Sequence, residues 1–183
     1  MASIHSEDTR PEQAVRRELW RRGYRFRICV RTLPGTPDIV LPKYRTCIFV
    51  NGCFWHGHKG CSKFVMPKTR TEFWANKIAR NQERDLVNIQ RLESIGWSAI
   101  TVWECELSKS GIENTMEKIE SMLAENRTKW KEYQAHRRES RKFAIEQARR
   151  RREINAIIEA ELNERFGIPE KIRRLSRIDE DFS

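Results

Sequence analysis

The chain has 183 residues, of which 36 are Lys or Arg and 26 are Asp or Glu, so its formal net charge is +10 at pH 7. This length allows one ordinary domain with an appendage, and no apolar stretch reaches the about 20 residues that a membrane helix needs. The N-terminal residues lack the apolar core of a secretory signal, which predicts a cytoplasmic protein. The basic excess and six Trp residues favour nucleic acid as a partner, with a basic solvated surface as an equal alternative.

Helix and strand patterns alternate over the first 108 residues and predict a mixed α/β core. Thr9, Pro11 and Glu12 form a capping-box pattern, which predicts a first helix that Gly23 ends. The other predicted elements are strands at 38–41 and 44–50, a helix from residue 69 or 71 to about 94, and a strand at 97–103.

The sequence after this core has a helical composition. Four apolar residues at helical spacing predict a final helix that packs on the core: Ile112, Met116, Ile119 and Leu123. We therefore predict one domain at 1–124 and a charged, mostly helical extension at 125–183.

The extension contains a run of four arginines, Arg149–Arg152. These side chains are either additional phosphate contacts or part of a solvated helix or oligomerisation arm. Gly167 and Pro169 are expected to end the helix before the acidic residues 179–181.

Three cysteines and a histidine have a spacing that favours a metal site. Cys53, His58 and Cys61 are close in sequence, and Cys105 follows the last predicted strand. Zinc prefers four thiolate or imidazole ligands in a tetrahedron, and a set of four protein ligands leaves no position for water. The pattern predicts a structural site, with His56 as a rival histidine ligand and buried thiols as the alternative interpretation.

Two carboxylates are candidates for a second kind of site. Asp38 begins a strand after a Pro-rich turn, and Glu12 on the first helix is its candidate partner. Carboxylates are natural ligands for Mg²⁺, and a divalent cation activates water for phosphodiester hydrolysis. On spacing alone, a turn role for Asp38 and a capping role for Glu12 are the more ordinary interpretations.

Aromatic residues near the cysteines are candidate nucleic-acid contacts. Phe54 and Trp55 lie in a loop, and Trp74 lies on the helix that follows. Such rings can wedge between base pairs at a cost of a few kcal/mol per step, whereas core packing is the ordinary role of adjacent aromatics. Arg84 and Asp85 lie further along the same helix, on a face that would ordinarily be solvated.

Five blocks of sequence carry the most specific signal. They are Pro34-Gly-Thr-Pro-Asp-Ile-Val40, Val50-Asn-Gly-Cys-Phe-Trp-His56, Pro67-Lys-Thr-Arg-Thr-Glu-Phe-Trp74, Asn81-Gln-Glu-Arg-Asp85 and the segment from Gly96 to Cys105. In order and spacing, these blocks resemble the very short patch repair (Vsr) DNA mismatch endonuclease family over about residues 5–108.

The resemblance implies a restriction-endonuclease-like α/β fold, a mixed sheet flanked by helices, with a structural zinc site and a C-terminal helical extension. It implies a Mg²⁺-dependent endonuclease that nicks one strand of double-stranded DNA at T:G mispairs left by deamination of 5-methylcytosine. It further implies a bacterial protein that acts on DNA as a monomer, alongside other repair proteins.

The resemblance also implies roles for individual residues. Asp38 matches the catalytic, Mg²⁺-binding aspartate, and the backbone of Val50 matches the next metal contact, where relatives can have Thr. His56 matches a histidine near the scissile phosphate, and Glu12 matches an active-site glutamate.

Asp85 matches an aspartate that, in some relatives, holds a histidine at the position of Asn51. Because an amide does not titrate, proton transfer assigned to that histidine must pass to His56 or water here. The zinc ligands implied by the resemblance are Cys53, His58, Cys61 and Cys105. The implied DNA contacts are the intercalating Phe54 and Trp55, to which we add Trp74 and Arg84 as candidates.

Two other functions are compatible with the sequence. One is a sequence-specific endonuclease that cuts fully paired DNA, as in restriction. The other is an inactive module that binds distorted DNA, an alternative that the amide at Asn51 keeps open.

Overall fold

The computed structural model describes residues 8–167 of the chain. The first helix, α1, spans Arg10–Arg21, and the predicted capping box is confirmed. Thr9 Oγ1 accepts a hydrogen bond from the Glu12 N–H, and the Glu12 carboxylate accepts one from the Thr9 N–H at 3.2 Å. The helix buries Val15 and Leu19 completely, so its apolar stripe faces the core.

Three strands form one mixed sheet in the order β1-β2-β3. β1 (Ile39–Leu41) and β2 (Thr46–Asn51) are antiparallel and joined by a short 3₁₀ turn, which confirms the predicted hairpin-like pair. The predicted second helix, α2 (Thr71–Ser94), then crosses to β3 (Ser98–Trp103), which pairs parallel to β2. The long α2 supplies the crossover that a parallel pair requires.

Helices cover both faces of this sheet. On one face, α1 and the beginning of the last helix pack against inward side chains of all three strands. On the other face, Leu92 of α2 packs with Val40 and Cys47. The mixed α/β core predicted from the sequence is confirmed as a three-stranded sheet flanked by helices.

The last helix, α3, spans Ile112–Phe166. The predicted apolar stripe is confirmed: Met116, Ile119 and Leu123 are buried, and Ile112 packs partly buried against the same cluster. Gly167 follows in the left-handed region, with φ of 56°, as predicted for a helix end. Pro169 and the acidic residues 179–181 lie outside the described residues.

The chain divides into two compact units, Met1–Glu132 and Tyr133–Ser183. Within the first unit, contacts with the sheet continue past the predicted boundary at residue 124, because Asn126 Nδ2 donates to the buried Thr46 Oγ1 at 3.1 Å. The second unit consists, among described residues, of the solvated part of α3. No helix within residues 8–167 combines the length and apolar composition of a membrane-spanning segment.

Candidate active site and metal centre

One edge of the sheet gathers most of the predicted site residues. Because β2 and β3 are parallel, their carboxyl ends lie together, and the antiparallel β1 begins at the same edge. Asp38 directly precedes β1, Asn51 ends β2, and Cys105 follows β3. The topology therefore brings residues that are up to 67 positions apart in sequence to one place.

Asp38 is anchored to the neighbouring strand. Its Oδ2 accepts a hydrogen bond from the Val50 N–H at 2.7 Å, which leaves Oδ1 for another ligand. Burial, and then the negative charge of Glu12, raise the pKa of Asp38 to about 6, against the opposing effects of the Val50 N–H, Arg16 and His56. This carboxylate is thus poorly solvated and would be stabilised by a cation.

Glu12 faces Asp38 but is fully occupied by its own hydrogen bonds. The side chain is 3% exposed. Its two oxygens accept from the N–H groups of Asp8 and Thr9, from Thr9 Oγ1 at 2.7 Å and from Arg16 Nη2 at 2.6 Å. Glu12 therefore acts on the pKa of Asp38 through its charge, in addition to its role in the capping box.

Arg16 is a site residue that the sequence analysis missed. Its guanidinium pairs with Glu12 and reaches the backbone of Asp38, with Nη2 2.6 Å from Glu12 Oε2 and 3.5 Å from the carbonyl oxygen of Asp38. Only its position one turn after Glu12 on α1 could have indicated this role. The positive charge offsets part of the repulsion between the two carboxylates.

His56 lies on the loop after β2 and pairs with α2. Its Nδ1 is hydrogen-bonded to Asp85 Oδ2. The resemblance associated Asp85 with a histidine at position 51; in this protein Asp85 contacts His56, while Asn51 is buried at the end of β2. Since the carboxylate only accepts, Nδ1 donates and Nε2 remains available to a substrate.

α2 also holds the backbone of this loop. Asn81 Nδ2 donates to the Trp55 carbonyl at 2.9 Å, and Gln82 Nε2 donates to the carbonyls of His56 and Gly57 at 3.1 and 3.3 Å. Gly57 has φ of 63°, and a Cβ there would lie 2.6 Å from Gln82 Nε2. Glycine is required because α2 approaches the loop so closely.

The predicted cysteine and histidine ligands meet in one cluster. The ligating atoms of Cys53, His58, Cys61 and Cys105 all lie within 4.8 Å of one another. His58 Nδ1 is 3.6 Å from Cys53 Sγ and 3.4 Å from Cys105 Sγ. A tetrahedral zinc with bonds of about 2.0–2.3 Å would separate S and N ligand atoms by roughly 3.5 Å, so this donor set fits the ion. His56, the rival ligand, lies outside the cluster.

Cys53 is the buried member of this cluster, and the other three candidate ligands are partly exposed. Burial raises the pKa of Cys53 to about 12, whereas a hydrogen bond from the Lys63 N–H lowers the pKa of Cys61. The His58 ring stacks on Trp103, with centroids 4.1 Å apart and planes 6° apart, which fixes its orientation. Cys105 ties the loop after β2 to the end of β3.

Phe54, Trp55 and Trp74 form an aromatic cluster beside this loop. Ring centroids are 5.2 Å apart for Phe54 and Trp55, 5.3 Å for Phe54 and Trp74, and 5.9 Å for Trp55 and Trp74. All three rings are partly exposed. Lys77 Nζ lies 5.0 Å from the Trp55 ring, and the mostly exposed Arg84 lies further along α2, 3.9 Å from Asp85. The cluster combines packing with an accessible aromatic surface and positive charge.

The described geometry defines an α/β protein with a centre of soft metal ligands beside a carboxylate and histidine cluster. The family model described as DNA mismatch endonuclease Vsr matches residues 1–63. The chain is 49% identical over 112 residues to the Type II nicking enzyme V.NmeAIP of Neisseria meningitidis serogroup A, covering 61% of this chain and 79% of that protein.

Two further relatives match this chain over a similar length. The Type II nicking enzyme V.XorIIP of Xanthomonas oryzae pv. oryzae is 50% identical over 111 residues, which cover 61% of this chain and 81% of the relative. The DNA mismatch endonuclease Vsr of Escherichia coli is 47% identical over 107 residues, which cover 58% and 68%. The chain belongs to the DNA mismatch endonuclease Vsr family, and the resemblance noted in the sequence is confirmed.

Proposed function

We propose that this protein is a Mg²⁺-dependent DNA endonuclease that nicks one strand of duplex DNA at T:G mispairs, in the cytoplasm of a bacterium. The observation that carries the proposal is that Glu12 and His56 both lie close enough to Asp38 to affect its carboxylate electrostatically, at the sheet edge where Asp38 accepts a hydrogen bond from Val50. Relatives named as nicking enzymes and as a mismatch endonuclease support it. The three-stranded sheet with helices on both faces is compatible with a restriction-endonuclease-like fold.

Asp38 and the backbone carbonyl of Val50 are the proposed holders of Mg²⁺. A poorly solvated carboxylate with one oxygen available fits a hard cation. A Mg²⁺ ion held by these groups would supply polarisation of the phosphoryl oxygens and a lower pKa for the attacking water. The absence of a hydroxyl at Val50 leaves only its carbonyl oxygen for this contact.

His56 is the proposed proton donor to the leaving oxygen. Asp85 holds its Nδ1 and thereby directs Nε2 towards the scissile phosphate. The amide of Asn51 does not titrate near neutral pH, so we assign proton transfer to the leaving oxygen to His56. Glu12 and Arg16 set the charge around Asp38 without binding the cation.

Phe54 and Trp55, with Trp74, are the proposed wedge that opens the duplex. Unstacking a base step costs a few kcal/mol, and a mispaired step is cheaper to distort than a paired one. Arg84 is the proposed phosphate contact on α2. The lower energy needed to distort a mispaired step than a paired one is the proposed source of the preference for T:G mispairs.

Zinc is the proposed ion of the Cys53, His58, Cys61 and Cys105 centre. The four soft donors leave no position for a substrate, so the ion is structural. The nuclease activity is assigned to the proposed domain at 1–124, and the extension at 125–183 has no proposed catalytic role.

A nicking assay on matched duplexes tests this function. Substrates differ only in one base pair, T:G against T:A, and each is assayed with and without Mg²⁺. We expect one nick in the T:G duplex, only with Mg²⁺. A Glu83→Gln variant, which neutralises an exposed carboxylate of α2, is the control for Asp38→Asn.

A second candidate function is nicking of a specific paired sequence, because the names of several relatives specify nicking without a mismatch. Equal cleavage of the T:A and T:G duplexes would favour it. Binding of the T:G duplex without cleavage in Mg²⁺ would instead indicate an inactive module.

A further inference from the structure

The part of α3 after Glu132 presents an apolar stripe, the distal stripe, to solvent. Its members are Phe143, Ile154, Ile157, Ile158 and Leu162. At about 100° per residue, these positions fall within an arc of roughly 140° on one side of the helix. The four members from Ile154 onwards are between 42% and 59% exposed. β-Branched residues lower helix propensity, so three isoleucines within five positions indicate burial in a partner rather than helix stabilisation.

Four charged residues, Arg150, Arg151, Glu161 and Arg165, fall on the face of this distal stripe, and Arg151 and Glu161 are the two that are placed symmetrically about its isoleucines. Among residues 8–167, the structure records no ion pair for either of them. The neighbouring Arg149 and Arg150, in contrast, each pair with a glutamate of the same helix. Arg151 and Glu161 are therefore two charges on this face that an external partner can neutralise.

The positions of these residues fit an antiparallel pair of identical helices. Ile154 and Ile158 are centred on residue 156. Arg151 and Glu161 are centred on the same residue. Opposing Ile154 to Ile158 of a second copy therefore opposes Arg151 to Glu161 on both sides of the apolar centre. In a parallel, in-register pair, Arg151 would oppose Arg151 of the other chain and Glu161 would oppose Glu161. Such like charges repel each other.

The run of arginines is spread around the helix rather than gathered on one face. Consecutive helix residues differ by about 100°, so Arg149–Arg152 point around the helix rather than to one side. Two of the four are already paired within the helix. Charge and apolar pattern together favour a second copy of this chain over nucleic acid.

We propose that residues 147–165 of α3 form a two-fold symmetric, antiparallel helix pair with the same segment of a second copy. The isoleucines of the distal stripe are buried at the centre, and Arg151 pairs with Glu161 of the other chain at each end. This assignment replaces the expectation of a monomer and is independent of the proposed nuclease function, because it concerns oligomeric state alone.

Sedimentation velocity of the full-length chain over a range of concentrations tests the pair. We expect a concentration-dependent mass of two chains, and a monomer for Ile158→Asp. Ala156→Asp, on the opposite side of the helix, is the matched control and should remain dimeric. Circular dichroism of each variant verifies that the helix is retained. A monomer at all concentrations for the wild-type chain would overturn the proposal, whether or not that monomer binds DNA through the arginines.

A charge swap tests the orientation. Arg151→Glu and Glu161→Arg should each weaken dimerisation about tenfold, because two attractive pairs become repulsive. The double variant should return to within about threefold of the wild type, because the charges are again opposite. A double variant that is as weak as the single ones would exclude the antiparallel register, since a parallel pair keeps like charges opposed.

Discussion

The two candidate metal sites lie at the same sheet edge but differ in how complete they are. The cysteine and histidine centre brings four soft donors within 4.8 Å, enough to satisfy zinc without any other ligand. The Asp38 site offers one carboxylate oxygen, to which we propose that the Val50 carbonyl is added, and the nearby Glu12 is already saturated with hydrogen bonds. A complete donor set suits stability, whereas an incomplete one leaves room for water and a phosphate.

Burial raises the pKa of both Asp38 and Cys53, and at Asp38 the negative charge of Glu12 adds to this effect. Asp38 has a raised pKa because it is partly buried and close to the charge of Glu12, so its ionised form is costly in the absence of a cation. Unfavourable burial of a charged group is common at functional sites, because stability and reactivity place opposite demands on a side chain. The predictions below test whether the two sites separate into one for catalysis and one for folding.

Asp38→Asn should have the largest effect on activity. The amide keeps the shape of the side chain but removes the charge that holds Mg²⁺, so we expect nicking to fall by at least about 10³-fold. Zinc content and the melting temperature should not fall. Single-turnover nicking of the T:G duplex and metal analysis check both parts; substantial activity in Asp38→Asn, with normal activity in Glu83→Gln, would remove Asp38 from the mechanism.

His56→Ala should lower the nicking rate by about 10²–10⁴-fold, the usual range for a positioned acid or base. Asp85→Asn should have a smaller effect of about 10-fold to 100-fold, because it orients His56 without reaching the substrate. In the double variant the two losses should not add, since both act through one side chain. Additive losses would show that Asp85 acts separately from His56.

Cys61→Ser should affect the other site. Removing a thiolate ligand is expected to lower zinc occupancy and to destabilise the fold by about 3 kcal/mol or more, as for other structural metals. Cys29→Ser is the matched control, because Cys29 is not among the four clustered ligands. Thermal melting and zinc analysis of both variants provide the measurement; an unchanged melting temperature for Cys61→Ser would contradict a structural role.

Local signals in the sequence predicted most of the fold. The capping box at Thr9 and Glu12, the hairpin strands and the helix that begins at Thr71 all depend on residues close in sequence. The same holds for the apolar stripe at the start of α3. These elements were predictable because their determinants are turn, cap and periodicity signals that tertiary structure did not override.

Contacts between distant elements were harder to predict. His56 and Asp85 are 29 residues apart, and their pairing depends on how α2 crosses over the loop after β2. The loop contacts of Gln82 have the same origin. Arg16 was missed because its role becomes visible only when α1 is packed beside the start of β1. Spacing within one segment carries no information about such contacts.

The pH dependence of stability should show the smallest of the predicted effects. It compares the wild type directly with Asp38→Asn. The native pKa of Asp38 is about 6, above its ordinary value, so the native state binds the proton more tightly than the unfolded state. Between about pH 4 and pH 6 the native state therefore holds more protons, and the free energy of unfolding contributed by Asp38 falls as pH rises. In Mg²⁺-free buffer with zinc retained, this loss should be about 1–2 kcal/mol after allowance for screening of a partly exposed group.

Asp38→Asn has no such loss and should be more stable than the wild type at pH 7.5 but not at pH 4. Denaturant unfolding of both proteins at the two pH values measures the difference, which isolates Asp38 from the other carboxylates. If the wild type and Asp38→Asn differ equally at both pH values, the Asp38 carboxylate is well solvated or already neutralised, and the proposed cation site loses its electrostatic support.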